Sequence, residues 1–403
     1  MTTTEATPLA YDPYDYGIHE DPYPTYRRLR AEAPVFRNEE RDFWALSRHA
    51  DVTAGFRDNA RLSNSHGVSL DPASWTPNAH RTMSFLGLDP PRHTRMRGLV
   101  SRGFTPRRVA EAEPRVRELS LQHLEPAIEA GSFDLIADFA GKLPMDVISE
   151  MVGVPVADRA EVRRLADLVV HREEGMHDVP PAGMESALAL AVYYDEMVQD
   201  RRRKRRDDLT SALLDAEVDG DRLTDEEIVA FLFLMVVAGN ETTTKLLGHA
   251  MYWAWRFPEQ RAKVLAEPTQ ERIELWVEET LRFDTSSQML ARFSTEDIEL
   301  HGQVIPAESR VLLLVGAANR DPDVFAEPDV YDLDRVVGPD LASFGFGRHF
   351  CMGASLARME ARVALQQIVE RVGSWEVDEA EARRVHSVNV RGFASLPLTV
   401  EAR

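Results

Sequence analysis

Between Thr224 and Pro258 the chain spells a single long helix, and that helix requires a large, mainly helical body around it. Thr224-Asp225-Glu226-Glu227 is a capping box, with Thr224 as N-cap and Glu227 three residues later. The helix can run to about Phe257, where Pro258 stops it. At the usual rise per residue it is roughly 50 Å long, enough to cross a whole domain. Its first half is apolar on every side, as in a helix buried within a large core. The strongly apolar run, Ile228 to Gly239, is too short to span a bilayer, so protein must cover it.

The rest of the sequence can supply that cover. The chain has 403 residues, 44% of them hydrophobic, with no linker-like stretch and no internal repeat, which predicts one domain over residues 1–403. Tyr23 to Glu32 reads as a helix, Phe43 to Ser47 as a short strand, and residues 62 to 91 as a long loop. Arg95 to Leu213 reads as mostly helical, with breaks at Pro106, Pro144, Pro155 and Pro180-Pro181, and Gln270 to Phe283 as another helix. Ile298 to Leu300, Gln303 to Ile305 and Val311 to Val315 read as strands, with a turn at His301-Gly302. The expected fold class is mainly α: a large helical domain with a small β-sheet region in the C-terminal half.

Charge and cysteine content narrow the partners. The net charge of −20 argues against nucleic acid or an acidic membrane. The basic run Arg201 to Arg206 points the other way, but Asp207 and Asp208 follow it, and it reads as a solvated helix end that complements the helix dipole. A nucleic-acid-binding helical protein built on that run is the rival reading, and a DNA-binding assay separates the two. Met1 to Ala10 is polar, which fits neither a signal peptide nor an anchor, and a single cysteine allows no internal disulfide. A soluble, cytoplasmic protein is expected.

Two segments carry chemistry. Cys351 is the lone cysteine, and a free cysteine is by habit a small buried hydrophobe. Its neighbours argue for more. Gly345 and Gly347 let the backbone turn tightly and bring N–H groups close to the sulfur. Helix formers from Ala354 to Gln367 place Cys351 near a positive helix end, which favours the thiolate. Phe344 and Phe350 can shield it, and a shielded thiolate suits a soft metal site. The second segment, Ala238-Gly239-Asn240-Glu241-Thr242-Thr243, puts an acid and hydroxyls into the middle of the apolar helix. Such groups are costly when buried without partners, and Thr side chains bonding back one turn bend a helix.

The run Phe344-Gly345-Phe346-Gly347-Arg348-His349-Phe350-Cys351-Met352-Gly353 resembles the haem-binding loop of the cytochrome P450 monooxygenases at every fixed position. Ala238 to Thr242 resembles that family's oxygen-binding kink, and Glu279-Thr280-Leu281-Arg282 its structural Glu-x-x-Arg pair, all in the family's order. The resemblance implies the cytochrome P450 fold and one haem b ligated by Cys351, with Phe344, Gly345, Gly353, Ala238 and Gly239 beside it. It implies propionate contacts at His93, Arg97, Arg292 and His349, a hydroxyl from Thr242 for dioxygen, and a proton relay at Glu241. It further implies O2 and electrons from NAD(P)H through a ferredoxin and ferredoxin reductase, which would dock on Arg102, Arg107, Arg108, Arg348 and Arg358.

The implied substrate is a hydrophobic small molecule, such as a secondary metabolite, fatty acid, terpenoid or steroid, that is hydroxylated or epoxidised. The pocket would draw on residues 62 to 88, Leu168 to Met184, Met235 to Thr242, Ser287 to Leu290 and Phe393-Ala394, with His171, Arg172, Glu173 and Glu174 on a mobile lid. A haem protein that senses a ligand without turnover is the second rival. Two departures stand out. No proline follows Arg282, where Phe283-Asp284-Thr285-Ser286-Ser287 stands instead, and Val330 occupies a place where many relatives have an arginine that joins the Glu-Arg pair.

Overall fold

The computed structural model describes residues 8–101, 104–172, 175–218 and 220–403. The long helix is one element, Asp225–Arg256, and both bonds of its capping box are closed. Glu227 N donates to Thr224 Oγ1 at 3.2 Å, and Thr224 N donates to Glu227 Oε2 at 3.0 Å. Helices Leu143–Val152, Arg159–Val170, Pro181–Arg203, Gln270–Phe283 and Ala354–Arg371 pack around it. Ile228, Phe231, Leu232 and Val236 are consequently sealed from solvent. By length and composition this helix is apolar enough to cross a membrane, contrary to the expectation from the run Ile228 to Gly239 alone. Most of its apolar window is buried inside the protein, which is the behaviour of a core helix.

The helix limits Tyr23–Glu32 and Gln270–Phe283 coincide with the sequence reading. Pro106, Pro144 and Pro181 begin helices rather than merely ending them, because a first-turn residue has no intrahelical N–H bond to lose. The main sheet departs from expectation. Its five strands run in the order Val35–Asn38, Phe43–Leu46, Arg310–Leu313, Leu290–Ser294, Leu62–Ser63, so it draws on both ends of the chain rather than the C-terminal half alone. Arg310–Leu313 joins the halves, parallel to Phe43–Leu46 and antiparallel to Leu290–Ser294. The hairpin Ile298–Leu300 and Gln303–Ile305 turns at His301-Gly302, both with positive φ.

The basic run ends helix Pro181–Arg203 and is exposed from Arg202 to Arg206, as expected, except at its first residue. Arg201 is buried, donating to Asp208 at 2.6 Å and to the Gly153 carbonyl at 2.8 Å. Arg202 pairs with Asp225, Arg205 with Asp215 and Arg206 with Asp200. These cations tie helix Pro181–Arg203 to its surroundings and are spent on internal carboxylates.

Both departures from the family pattern have a structural resolution. Glu279 and Arg282 form a bidentate pair, 2.7 Å on each arm, with no exposed surface on either side chain. Arg335 supplies the third member, reaching Glu279 at 3.3 Å. Where the proline is missing, Asp284 is fully buried and accepts from Tyr23 Oη (2.7 Å), Trp253 Nε1 (3.0 Å) and Arg391 Nε (2.8 Å). Burial alone would raise this carboxyl, but Arg391, His249 and Arg384 outweigh it and hold Asp284 well below the usual carboxylate range.

Candidate functional site

A cavity of about 1370 Å³, counted to its mouth, lies between helices Asp225–Arg256 and Ala354–Arg371. Its lining includes Ala238, Gly239, Thr242, Arg292, Phe344, Gly345, His349, Cys351 and Gly353 from the sequence-derived set. Glu241, His93 and Arg97 are not among the lining residues.

The Cys351 loop is held by its own backbone. Cys351 N donates to Phe344 O at 2.9 Å, Gly345 N to Ala342 O at 2.8 Å, and Phe350 N to Gly347 O at 3.1 Å. Gly345 and Gly347 take φ of 66° and 71°, and a Cβ on Gly347 would meet the Phe56 carbonyl at 3.2 Å. Gly353 would meet nothing within 4 Å. The Cys351 sulfur opens on the cavity and receives the N–H groups of Gly353 and Ala354. Burial nevertheless dominates and pushes the thiol up, although those amides, Arg97 and Arg358 act the other way. The amides at the helix end act in the direction expected from sequence, towards the thiolate.

Across the cavity, the Thr242 hydroxyl donates to Ala238 O at 3.0 Å, and Thr244 Oγ1 to Asn240 O at 2.9 Å. Both Thr side chains thus bond back one turn, as expected of polar groups in an apolar helix. Glu241 turns away from the cavity to Lys245, its Oε2 3.2 Å from Nζ, with both side chains almost wholly buried. Asp167, on helix Arg159–Val170, lies near this pair. Burial and the Glu241 carboxylate push it up to about 6.

One edge of the cavity carries buried side-chain nitrogens short of acceptors. His93 and His349 lie 4.1 Å apart by ring centroid, and both nitrogens of each are buried without a partner. Arg97 Nη1 is likewise unpartnered, while its Nη2 bonds Phe350 O at 2.6 Å. Burial pushes His93 down to about 4 and Arg292 to about 10, and drives His349 lower still, with neighbouring cations adding to the effect at both histidines. Buried donors short of acceptors call for an anionic group, which the two carboxylates of haem b supply. The residues present therefore fit that cofactor.

The pocket walls differ from the expected segments. Phe85, Leu86, Met235, Ser287 and Leu290 contribute as expected, and so do Phe104, Ile148, Leu234, Thr285 and Ser286, which the sequence reading missed. None of Leu168 to Met184 lines the cavity among the described residues. Phe393 packs on Tyr252 and His249 instead, because aromatic neighbours in the core capture it. Arg172 does not line the cavity and forms a bidentate pair with buried Asp71, at 3.2 and 2.8 Å. Glu173 and Glu174 lie outside the described residues, as does Arg102. Glu360 was also missed. It lines the cavity, burial raises its carboxyl well above the ordinary value, and its Oε2 has no partner. The only sequence sign was an acid on an apolar helical face.

Comparison with known proteins agrees with this geometry. The cytochrome P450 family model matches residues 184–398. A putative cytochrome P450 123 of Mycobacterium tuberculosis is 59% identical over the full length of both chains. A vitamin D(3) 25-hydroxylase of Pseudonocardia autotrophica is 37% identical, again over the full length of both. The solved cytochrome P450 CYP109Q5 of Chondromyces apiculatus superposes with a TM-score of 0.89 at 33% identity, covering 98% of this chain and 99% of that one. Fold, loop and full-length likeness converge, and the chain belongs to the cytochrome P450 monooxygenase family.

Proposed function

We propose that this protein is a cytoplasmic, ferredoxin-dependent haem-thiolate monooxygenase that oxidises a hydrophobic small molecule, with the chain acting as one domain. The observation that carries this is one cavity lined by both Cys351 and Thr242, with buried His93, His349 and Arg97 nitrogens short of acceptors at its edge. A hydrophobic core that joins Phe85 to Val400 supports the single domain.

When bound, the haem supplies the redox chemistry that activates O2, inserting one oxygen atom into substrate and releasing the other as water. Cys351 would ligate the haem iron, and two backbone amides and two arginines favour its charge. His93, Arg97, Arg292 and His349 are the proposed propionate partners. Ala238, Gly239 and Gly353, with small side chains or none, would leave room for the haem, and Phe344 and Gly345 would pack beside it. Thr242 is the proposed hydrogen-bond donor on the oxygen side, with Glu241 handing it protons from the direction of Lys245 and Asp167. The apolar lining of Phe85, Leu86, Phe104, Ile148, Leu234 and Leu290 excludes water and selects apolar substrates. A polycyclic lipid or polyketide is the class proposed, in keeping with a relative named for vitamin D(3) hydroxylation.

The expected electron-donor face is narrower than the sequence suggested. Arg358 is committed to Glu278, with the Nε–Oε1 arm at 2.5 Å, and Arg107 to Glu111 at 2.8 Å. Arg108 and Arg348 are exposed and carry no ion pair among the described residues, so they are the proposed contacts for an acidic ferredoxin.

The test is a reduced, carbon-monoxide difference spectrum of the purified protein. A strongly red-shifted Soret band is expected, and Cys351→Ala must lose it. An unshifted band in the parent protein overturns the haem-thiolate reading. Titration with steroids, terpenoids and fatty acids then ranks substrates by the spectral shift that accompanies displacement of water.

A further inference from the structure

The segment that replaces the family's proline is held from two sides. Residues 286–288 are zipped to residues 389–391: Gln288 N donates to Asn389 O (2.9 Å), Arg391 N to Ser286 O (2.8 Å), and Ser287 bridges Val390. Just before them, Arg320 Nε donates to Phe283 O (2.8 Å), and Asp284 is pinned by Tyr23, Trp253 and Arg391. With its backbone so fixed, Ser286 reaches across to helix Asp225–Arg256, and its hydroxyl donates to the Thr242 carbonyl at 2.8 Å. Ser286 and Thr242 both line the cavity.

This bond meets the central helix at its softest point. Gly239 lowers helix propensity in that turn. Thr242 and Thr244 both bond back to carbonyls one turn earlier, a habit that bends helices. A Cβ on Gly239 would touch only Ile148, at 3.7 Å, so little packing holds the turn from that side. A carbonyl oxygen has two lone pairs and can accept from Ser286 as well as from its own helix.

We propose that Ser286 is a positioning residue for Thr242: from a wall fixed by Asp284 and Arg391, its hydroxyl sets the placement of the turn that carries the Thr242 hydroxyl. The inference rests on the reading of Thr242 as the oxygen-side donor. Proton delivery is sensitive to ångström-scale misplacement. A loosened turn therefore diverts electrons: O2 takes up two electrons and two protons and leaves as hydrogen peroxide, in place of hydroxylated product and water.

The test compares holoenzyme with Ser286→Ala, Ser286→Thr and Ser286→Val, using the best substrate from the spectral screen. Ser286→Ala is expected to lower product formed per NADPH by about fivefold, the factor that one net hydrogen bond is worth, with peroxide rising to match. Amide hydrogen exchange over residues 238–246 of the ferric protein should speed up in Ser286→Ala and not in Ser286→Thr, a readout independent of turnover. Should Ser286→Ala fail to hold haem, the shape-matched pair decides: Thr keeps coupling and slow exchange, and Val loses both. Unchanged coupling and exchange in Ser286→Ala, or equal behaviour of Thr and Val, overturns the inference. Failure of the wild-type carbon-monoxide band would instead overturn the functional reading beneath it.

Discussion

The two walls of the cavity are built on opposite plans. The wall around Cys351 is local in its backbone: the bonds between main-chain groups of residues 342 to 354 stay within the loop and the helix that follows, and two left-handed glycines shape the turn. The wall from Asp284 to Leu290 is remote: Tyr23, Trp253, Arg391 and Thr242 hold it, from parts of the chain up to 261 positions away. A locally bonded wall keeps its shape as a motif wherever it is placed. A remotely bonded wall exists only once the whole core has assembled, and its charges are interior ones.

Substitutions should separate the plans into loss of chemistry and loss of stability. The largest expected effect is Cys351→Ala, which should abolish monooxygenation and the red-shifted carbon-monoxide band. Circular dichroism should still report a folded helical protein, because the bonds Cys351 N to Phe344 O, Gly345 N to Ala342 O and Phe350 N to Gly347 O do not use the sulfur. If Cys351→Ala unfolds the chain, the local plan is wrong.

Next comes Asp284→Ala. It strands Arg391 in the core, and breaking a buried pair in this way costs about 3–5 kcal/mol. A fall of that order in urea-unfolding free energy is expected, and a loss below about 1 kcal/mol would contradict the remote plan. The pH dependence follows from the same group. Its folded pKa is depressed, so its stabilisation is present above the ordinary carboxylate value and is lost as the pH falls through and below it. Acid unfolding of the parent should therefore be steeper than that of Asp284→Asn.

A smaller effect is expected at Arg172. Freeing buried Asp71 from its bidentate partner costs about 1.5–3 kcal/mol, and it unties two loop segments without touching the cavity lining. Stopped-flow spectroscopy on Arg172→Ala should show faster ligand entry and release, with the carbon-monoxide band unchanged.

The smallest expected effect lies at Asp167, and its sign is reversed. Its folded pKa of about 6 lies above the ordinary carboxylate value, so its contribution is fullest below that ordinary value and declines as pH rises through 6. Asp167→Asn should thus gain stability relative to the parent in mildly alkaline buffer but not in acid. The side chain is 46% exposed, which keeps the gain small.

The same contrast explains which features are legible in the sequence. Helix limits at Glu32, Thr224 and Phe283 can be read there because caps, prolines and periodicity act within a few residues. The Cys351 loop and the Gly239 to Thr242 turn are legible as contiguous patterns for the same reason. Arg201 reads wrongly as solvated, because nothing beside it in the chain announces Gly153 as its partner. The pairing of Phe43–Leu46 with Arg310–Leu313, and the entry of Arg335 beside Glu279, have no local signature either.

The sequence by itself determined the helical class, the core helix, the cysteine loop and the kind of chemistry, since each rests on short-range bonds and on residue types that few other sites need together. Only the tertiary structure decided which buried nitrogens are left without acceptors, which carboxylates are raised or depressed, and that Ser286 reaches Thr242. Those properties depend on burial and on the distance between segments far apart in the chain, and no single stretch of sequence contains either.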